Sequence, residues 1–376
     1  MRAPTISVIM ATFNHASFVA QAIDSVLSQV GVDFEFLIAD DGSTDSTRDV
    51  VASIQDPRIR FWPNEINRGA CVVTNELIDR ASGEFIALIN SDDYWISNSK
   101  LACQLEILRK RPSVGACFGR ARFVDKNGSI IEKNTLTNGR VFEQENRSRG
   151  AWLRHLFDLG NCICHPTMLI RKACYGELGV YDNRFRQLPD FDMWIRLLKR
   201  HDIFVVDEEL IAFRNLPGEN ASSATTQNLR RLLNESYFIL EKFFDGLSFD
   251  VFIDGFGDLL VNAEISNSVR FDIEHTLLYL TKNRWASHVY NKIGIEKLNF
   301  LLGSNIHRQI LIKDYGIDDR VFHSMTAEFC TFDLDSPTDK LSTMGGLYLI
   351  AEVKRRVVAR APSSLRPILK YLFAKY

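Results

Sequence analysis

Three apolar runs in the first 95 residues each break off into polar, turn-forming residues. Residues 6–12 run into Phe13-Asn14, residues 34–39 into Asp40-Asp41-Gly42-Ser43, and residues 85–89 into Asn90-Ser91-Asp92-Asp93. Near-continuous apolar runs of this length are the mark of strands buried on both faces. Amphipathic stretches at 18–27 and 69–80 separate them with helical spacing, and the short run 59–62 reads as one more strand. Strand, turn, helix, strand is the rhythm of a wound α/β domain. Ligands of open α/β sheets collect at the carboxyl ends of strands, so one edge of this domain is expected to carry a site.

A helix at about 100–111 and a strand at 114–122 continue the pattern, after which 125–149 turns polar and loop-like. Order returns at 167–171. Phe191, Trp194, Ile195, Leu197 and Leu198 then share one face of an amphipathic helix. The turn formers of 215–226 mark a boundary. Residues 1–222 are therefore expected to form one domain, with a nucleotide-binding part at about 1–95 and an acceptor-side part at about 96–222. Residues 223–376 are expected to form a second, mainly helical domain.

Forty-five Lys+Arg against 47 Asp+Glu leave a net charge of −2, which excludes nucleic-acid binding driven by overall charge. No uninterrupted apolar run reaches membrane-spanning length. Residues 1–4 pass straight into a strand without a basic-then-apolar leader, and seven cysteines, an odd number, suit reduced thiols. A cytoplasmic protein is the expectation.

The strand ends hold the chemistry. Asp40-Asp41, the Asn67-Arg68-Gly69 turn and Asn90-Ser91-Asp92-Asp93 bring carboxylates and amides to successive ends. Aspartate oxygens suit Mg²⁺ or Mn²⁺, which usually bind through one or two carboxylates together with substrate phosphates. Any one of these pairs alone could serve only to cap a helix. Gathered on one edge, they favour a site.

In order and spacing, Ser7-Val8-Ile9-Met10-Ala11-Thr12-Phe13-Asn14, Asp40-Asp41-Gly42-Ser43-Thr44-Asp45, Asn67-Arg68-Gly69 with Asn75, Ser82-Gly83-Glu84-Phe85-Ile86 and Asn90-Ser91-Asp92-Asp93 resemble the family 2 glycosyltransferases. The resemblance spans about 5–215. It implies a GT-A-type wound mixed sheet that binds a nucleotide-diphosphate sugar, a UDP-sugar being favoured. By that likeness Thr12, Asn14 and Asp40 or Asp41 contact base and ribose, Asn67, Arg68, Gly69, Asn90 and Ser91 line the same site, and Asp92 holds Mn²⁺ or Mg²⁺ on the diphosphate. Asn90 stands where the family carries aspartate; its amide can hydrogen-bond a ribose hydroxyl but brings no charge. Ala11 replaces a proline of the family.

Residues 188–197 resemble the family segment in which an acidic residue opens a helix. Asp190 matches the catalytic base, with Pro189 where glutamate is usual and Asp192 the alternative base. A carboxylate at a helix N-terminus is held ionised and can accept a proton from an acceptor hydroxyl. The 213–217 segment carries Leu216 where the family often has histidine. Trp194 is expected to pack in the core, and Cys162, Cys164 and His165, lacking a second pair at zinc spacing, are expected to include buried thiols.

The implied activity is inverting sugar transfer to an acceptor hydroxyl in bacterial surface-polysaccharide or glycolipid assembly, with a glycan or lipid-linked acceptor. Alternatives are a nucleotidyltransferase, although residues 13–17 lack a glycine-rich basic loop, or a non-catalytic carbohydrate-binding or scaffold protein derived from a glycosyltransferase. Finally, 351–376 holds Lys354, Arg355, Arg356, Arg360, Arg366, Lys370 and Lys375 against Glu352, a net +6, with Leu365, Ile368, Leu369, Leu372 and Phe373 at helical spacing. Such a stretch suits an anionic membrane surface, here the inner face of the cell membrane. Packing on the helical domain is the alternative.

Overall fold

The structure is a computed structural model that describes residues 3–328, apart from 219–224, 263–264, 266 and 282–284. The basic stretch 351–376, expected to meet a membrane, lies outside the described residues. The chain divides into two compact units, Met1–Leu232 and Leu233–Tyr376.

The first unit is built on β1 (Ile6–Thr12), α1 (Val19–Leu27), β2 (Phe34–Asp40), α2 (Thr47–Ser53), β3 (Ile59–Pro63), α3 (Ala70–Arg80), β4 (Phe85–Leu88) and β5 (Tyr94–Trp95). It continues through α4 (Lys100–Lys110), β6 (Val114–Val124), α5 (Arg149–Leu159), β7 (Leu169–Arg171), α6 (Lys172–Leu178), α7 (Pro189–Leu198) and β8 (Asp202–Arg214). The strands make one eight-stranded sheet in the order β3-β2-β1-β4-β7-β6-β8-β5. Strands β1 to β4 pair in parallel, whereas β7 is antiparallel to both β4 and β6 and β5 is antiparallel to β8. The sheet is therefore mixed, as expected.

Alternate residues of β1 explain why the run is apolar throughout. Ile6, Val8 and Met10 pack with Val19, Ala22, Ile23 and Val26 of α1 in the main core, while Ile9 is equally buried on the other face. A strand covered on both sides has no solvent face to make polar.

Strand β8 had no clear signal in the sequence because Asp207, Glu208 and Glu209 interrupt its apolar run. The structure answers two of those charges across the sheet. Arg122 Nε donates to Glu209 Oε2 at 2.9 Å, and Arg120 pairs with Asp207. Between them the β6–β8 register shifts around Arg120, which lets the acidic stretch bulge without ending the strand.

The second unit holds α8 (Thr226–Leu240), inside which the division falls, then α9 (Phe249–Phe256), α10 (Ser268–Tyr279), α11 (Ser287–Gly303), α12 (Asn305–Ile310) and α13 (Asp319–Glu328). Ile273, Leu277, Leu298, Leu302 and Leu311 form its core. Buried Glu274 accepts the N–H groups of Val261 and Asn262 and the Tyr315 hydroxyl, and burial pushes its pKa up to about 7. Among the described residues no helix is long and apolar enough to cross a membrane.

Candidate active site

β1 has β2 on one side and β4 on the other, so the connections leaving these strands diverge and open a crevice at their carboxyl ends. Thr12 and Asp40 close β1 and β2 in register with each other, and both are buried. Asp40 Oδ2 accepts the Ser43 N–H at 2.9 Å and Arg48 Nε at 2.7 Å. Asp40 Oδ1 and Thr12 Oγ1 have no hydrogen-bond partner among the described residues. A buried polar atom left unsatisfied costs about 1–3 kcal/mol. Two of them on paired strand ends are what a polar ligand would satisfy.

The loops beyond are fastened to one another. Asn14 takes a positive φ of 54°, which asparagine tolerates. Its N–H donates to Ser43 Oγ at 2.9 Å, and its Oδ1 accepts the Thr44 N–H at 2.8 Å. Asp41 uses both carboxylate oxygens on the start of α3, accepting Arg68 N–H at 2.7 Å and Gly69 N–H at 2.9 Å. Of the two neighbouring aspartates, Asp40 is thus the one with an open oxygen. Asn67 and Arg68 are exposed, and the Arg68 guanidinium donates to Glu76 at 2.6 Å.

The third loop is organised around a buried cation. Arg214, at the end of β8, donates from Nε to the Asp92 carbonyl at 2.8 Å, from Nη1 to the carbonyls of Asp125 and Lys126 at 3.1 and 2.7 Å, and from Nη2 to Gln21 Oε1 at 2.8 Å. Its main-chain N–H donates to Asp93 Oδ1 at 2.7 Å, while Asn90 Nδ2 donates to Asp93 Oδ2 at 3.0 Å. Burial, reinforced by the charge of Asp92, pushes the Asp93 carboxyl well above its ordinary range. Ser91 Oγ lies 2.7 Å from His15 Nδ1, tying this loop to the one after β1.

Asp92 is half-buried on the same loop. Among the described residues no group of three or more His, Cys, Asp or Glu side chains is placed to hold an ion by itself. A single hard oxygen donor fits Mg²⁺ or Mn²⁺ when the diphosphate and water complete the shell.

The second half of the site comes from α7. Pro189 occupies the first turn, where its missing N–H costs nothing. Asp190 follows; its Oδ2 accepts Asn161 Nδ2 at 2.7 Å and its Oδ1 accepts the Phe191 N–H at 2.9 Å. Burial outweighs these bonds and pushes the Asp190 carboxyl up to about 6. Asp192 is committed elsewhere: it pairs with Arg196 at 2.7 Å, whose guanidinium also binds the carbonyls of Leu178, Gly179 and Val180. Burial pushes the Cys164 thiol well above its ordinary range, and the charges of Asp93 and Asp190 add to that shift.

Trp194 is fully buried, edge-on to Phe118 at 4.7 Å and to His165 at 5.5 Å. Cys162 and Cys164 are buried thiols, that of Cys162 pushed up to about 12. His165 bonds the Tyr181 hydroxyl at 2.7 Å, and burial brings its pKa down to about 4.

Sequence reasoning missed His15, Asn161 and the role of Arg214. Only Arg214 carried a signal, as a lone cation closing the run Leu210-Ile211-Ala212-Phe213.

A family model described as Glycosyl transferase family 2 matches residues 7–176. The chain is 30% identical over 199 residues to the Bacillus subtilis protein named "Putative teichuronic acid biosynthesis glycosyltransferase TuaG", covering 52% of this chain and 73% of the relative. It is 28% identical over 232 residues to WfgD of Escherichia coli, a UDP-Glc:α-D-GlcNAc-diphosphoundecaprenol β-1,3-glucosyltransferase, covering 60% and 83%. Among solved structures it is similar to Staphylococcus aureus TarS 1–349 in complex with UDP-GlcNAc, with a TM-score of 0.51, 17% identity and 99% and 88% of the two chains covered. The mannosyltransferase PcManGT of Pyrobaculum calidifontis, in complex with GDP-Man and Mn²⁺, gives a TM-score of 0.50 at 13% identity over 95% and 88%. Both likenesses are of fold, the GT-A type.

Proposed function

Because the chain belongs to the family 2 glycosyltransferases, we propose that it moves a sugar from a nucleotide-diphosphate donor to an acceptor hydroxyl with inversion, using Asp190 as the base. The observation that carries the donor site is the pair of unsatisfied buried atoms, Thr12 Oγ1 and Asp40 Oδ1, at the strand ends. A nucleobase offers the matching groups: a ring N–H for the carboxylate oxygen and a carbonyl for the hydroxyl. A UDP-sugar is the favoured donor. Asn90 and Ser91 stand at the ribose side, and Asn14, Asp41, Asn67, Arg68 and Gly69 form the loops that wall the crevice.

Asp92 would hold Mn²⁺ or Mg²⁺, which when bound neutralises charge on the leaving diphosphate. Asp190 then accepts the proton of the acceptor hydroxyl. The oxygen forms its bond to the anomeric carbon as the bond to the diphosphate breaks on the opposite face, and a single displacement inverts the configuration. A carboxyl at about 6 is ionised at neutral pH yet more basic than an ordinary aspartate, as a general base requires.

We assign the transfer to residues 1–222 and treat 223–376 as a second domain. The WfgD likeness supports a lipid-linked acceptor in surface-polysaccharide assembly. Such an acceptor would bring the protein to the inner face of the membrane. Nucleoside diphosphate release, measured over a panel of UDP- and GDP-sugars with and without Mn²⁺, tests the reading. Release from at least one sugar nucleotide is expected. Pyrophosphate release from a nucleoside triphosphate and sugar phosphate would point to a nucleotidyltransferase instead.

A further inference from the structure

We propose that Asn161 is a positioning residue for the transfer, holding the Asp190 carboxylate in one orientation through its side-chain amide; the proposal rests on Asp190 being the base. The local chain is shaped for this. Helix α5 ends at Gly160, with φ +82° and ψ −162°, a conformation open essentially only to glycine. The chain turns there and presents Asn161 to the first turn of α7. Asn161 Oδ1 accepts the Ile163 N–H at 3.2 Å, which fixes the amide orientation and leaves Nδ2 as the group facing Asp190.

The bond from Nδ2 to Asp190 Oδ2, at 2.7 Å, is short and charge-assisted. Together with the Phe191 N–H on Oδ1 and the main-chain N–H of Asp190 itself, it leaves neither carboxylate oxygen without a hydrogen bond. Asn161 therefore does two things: it stops rotation of the carboxylate, and it favours the anion that burial opposes. Among the described residues, Cys164 and Tyr181 are titratable groups that feel the charge of Asp190, and burial pushes the ionisation of both far up, so both are neutral at working pH. On its own helix, Asp192 is paired with Arg196.

Two variants separate positioning from bulk. Asn161→Leu removes the donor. Asn161→Asp keeps the shape and the acceptor for Ile163, but turns a carboxylate toward Asp190. The first measurement uses no substrate: Tm is followed from pH 4 to 9 for each protein with and without Asp190→Asn. The difference caused by Asp190 levels off near the pKa of its carboxyl in the folded protein. In the wild-type background that pH is expected near 6. It should move up by about one unit in Asn161→Leu and further in Asn161→Asp.

The second measurement is nucleoside diphosphate release from the fastest sugar nucleotide of the panel. The acid limb of kcat/KM should move with the Tm breakpoint while donor KM changes less than about twofold, since Asn161 is placed on the base rather than on the strand ends. An unmoved breakpoint in both variants overturns the proposal, as does a uniform fall in kcat with an unmoved limb. Full activity in Asp190→Asn alone would overturn the base assignment, and the proposal with it. Inactive Asp190→Asn beside unshifted Asn161 variants would overturn only the proposal.

Discussion

Gly42→Ala should loosen the whole donor edge. Gly42 has φ +77°, and a Cβ there would stand 2.5 Å from the amide nitrogen of Asn67 and 2.5 Å from the carbonyl carbon of Ile66. Both are backbone atoms, so no rotamer change relieves the clash and the two loops must part. Left-handed backbone costs a non-glycine residue about 1–2 kcal/mol. Parting the loops also stretches the two bonds from Asp41 to Arg68 and Gly69, and losing one hydrogen bond to a charged group costs a further 1.5–3 kcal/mol or so. A loss of roughly 3–5 kcal/mol in a unit of this size lowers Tm by about 10 °C. Gly176→Ala is the control, for Gly176 lies in α6 with nothing within 4 Å of its would-be Cβ, and alanine there should stabilise by about 0.5–1 kcal/mol. Differential scanning calorimetry reads the stability, and titration with UDP reads the site, where Gly42→Ala should weaken binding about tenfold or more by displacing the neighbouring Asp40. A Tm within 2 °C or so of wild type, with unchanged UDP affinity, would refute the idea that this close approach holds the donor edge together.

Other perturbations probe separate parts of the site. Asp92→Ala should abolish the Mn²⁺ dependence of UDP binding without changing Tm, and in the wild type Mn²⁺ alone should bind far more weakly than Mn²⁺ with UDP, because one carboxylate is all this loop offers; calorimetric titrations check both. Asp190→Asn should lower turnover by about 10²-fold or more and stabilise the fold at neutral pH. The wild-type carboxyl has a folded pKa raised from 3.8 to about 6, so the folded protein holds a proton the unfolded chain releases, and stability falls as pH rises from about 4 to about 6, by up to roughly 3 kcal/mol. The variant lacks that fall, so its Tm advantage should grow over the same interval and then level off. Arg214→Lys keeps a charge but not the fork that joins Gln21, Asp92, Asp125 and Lys126; limited proteolysis should find the 90–95 and 125–130 loops cleaved faster than in wild type.

The parts legible in the sequence are those where one run of residues serves one purpose. The strands β1, β2 and β4 were legible because burial on both faces leaves no room for polar residues, and their ends because the apolar run stops there. Asp190 was singled out by likeness to the family segment in which an acid opens a helix, and it does lie in the first turn of α7. By contrast, nothing local distinguishes Asp40 from Asp41; one keeps an open oxygen and the other ties down α3 only because the loop from Asn67 to Gly69 folds back on it. Strand β8 was hidden by three acids that make sense only beside Arg120 and Arg122. Asn161 and His15 act on partners 29 and 76 positions away, so their roles arise from tertiary placement rather than spacing.

The central claim is a single inverting displacement assisted by Asp190. It is tested most directly by ¹H NMR of the sugar released when the wild-type protein turns over an α-linked sugar nucleotide with water as acceptor, observed before the anomers re-equilibrate. The account predicts that the first sugar seen is the β anomer, and that Asp190→Asn releases neither sugar nor nucleoside diphosphate above background. Initial release of the α anomer, or release by Asp190→Asn at the wild-type rate, would contradict it.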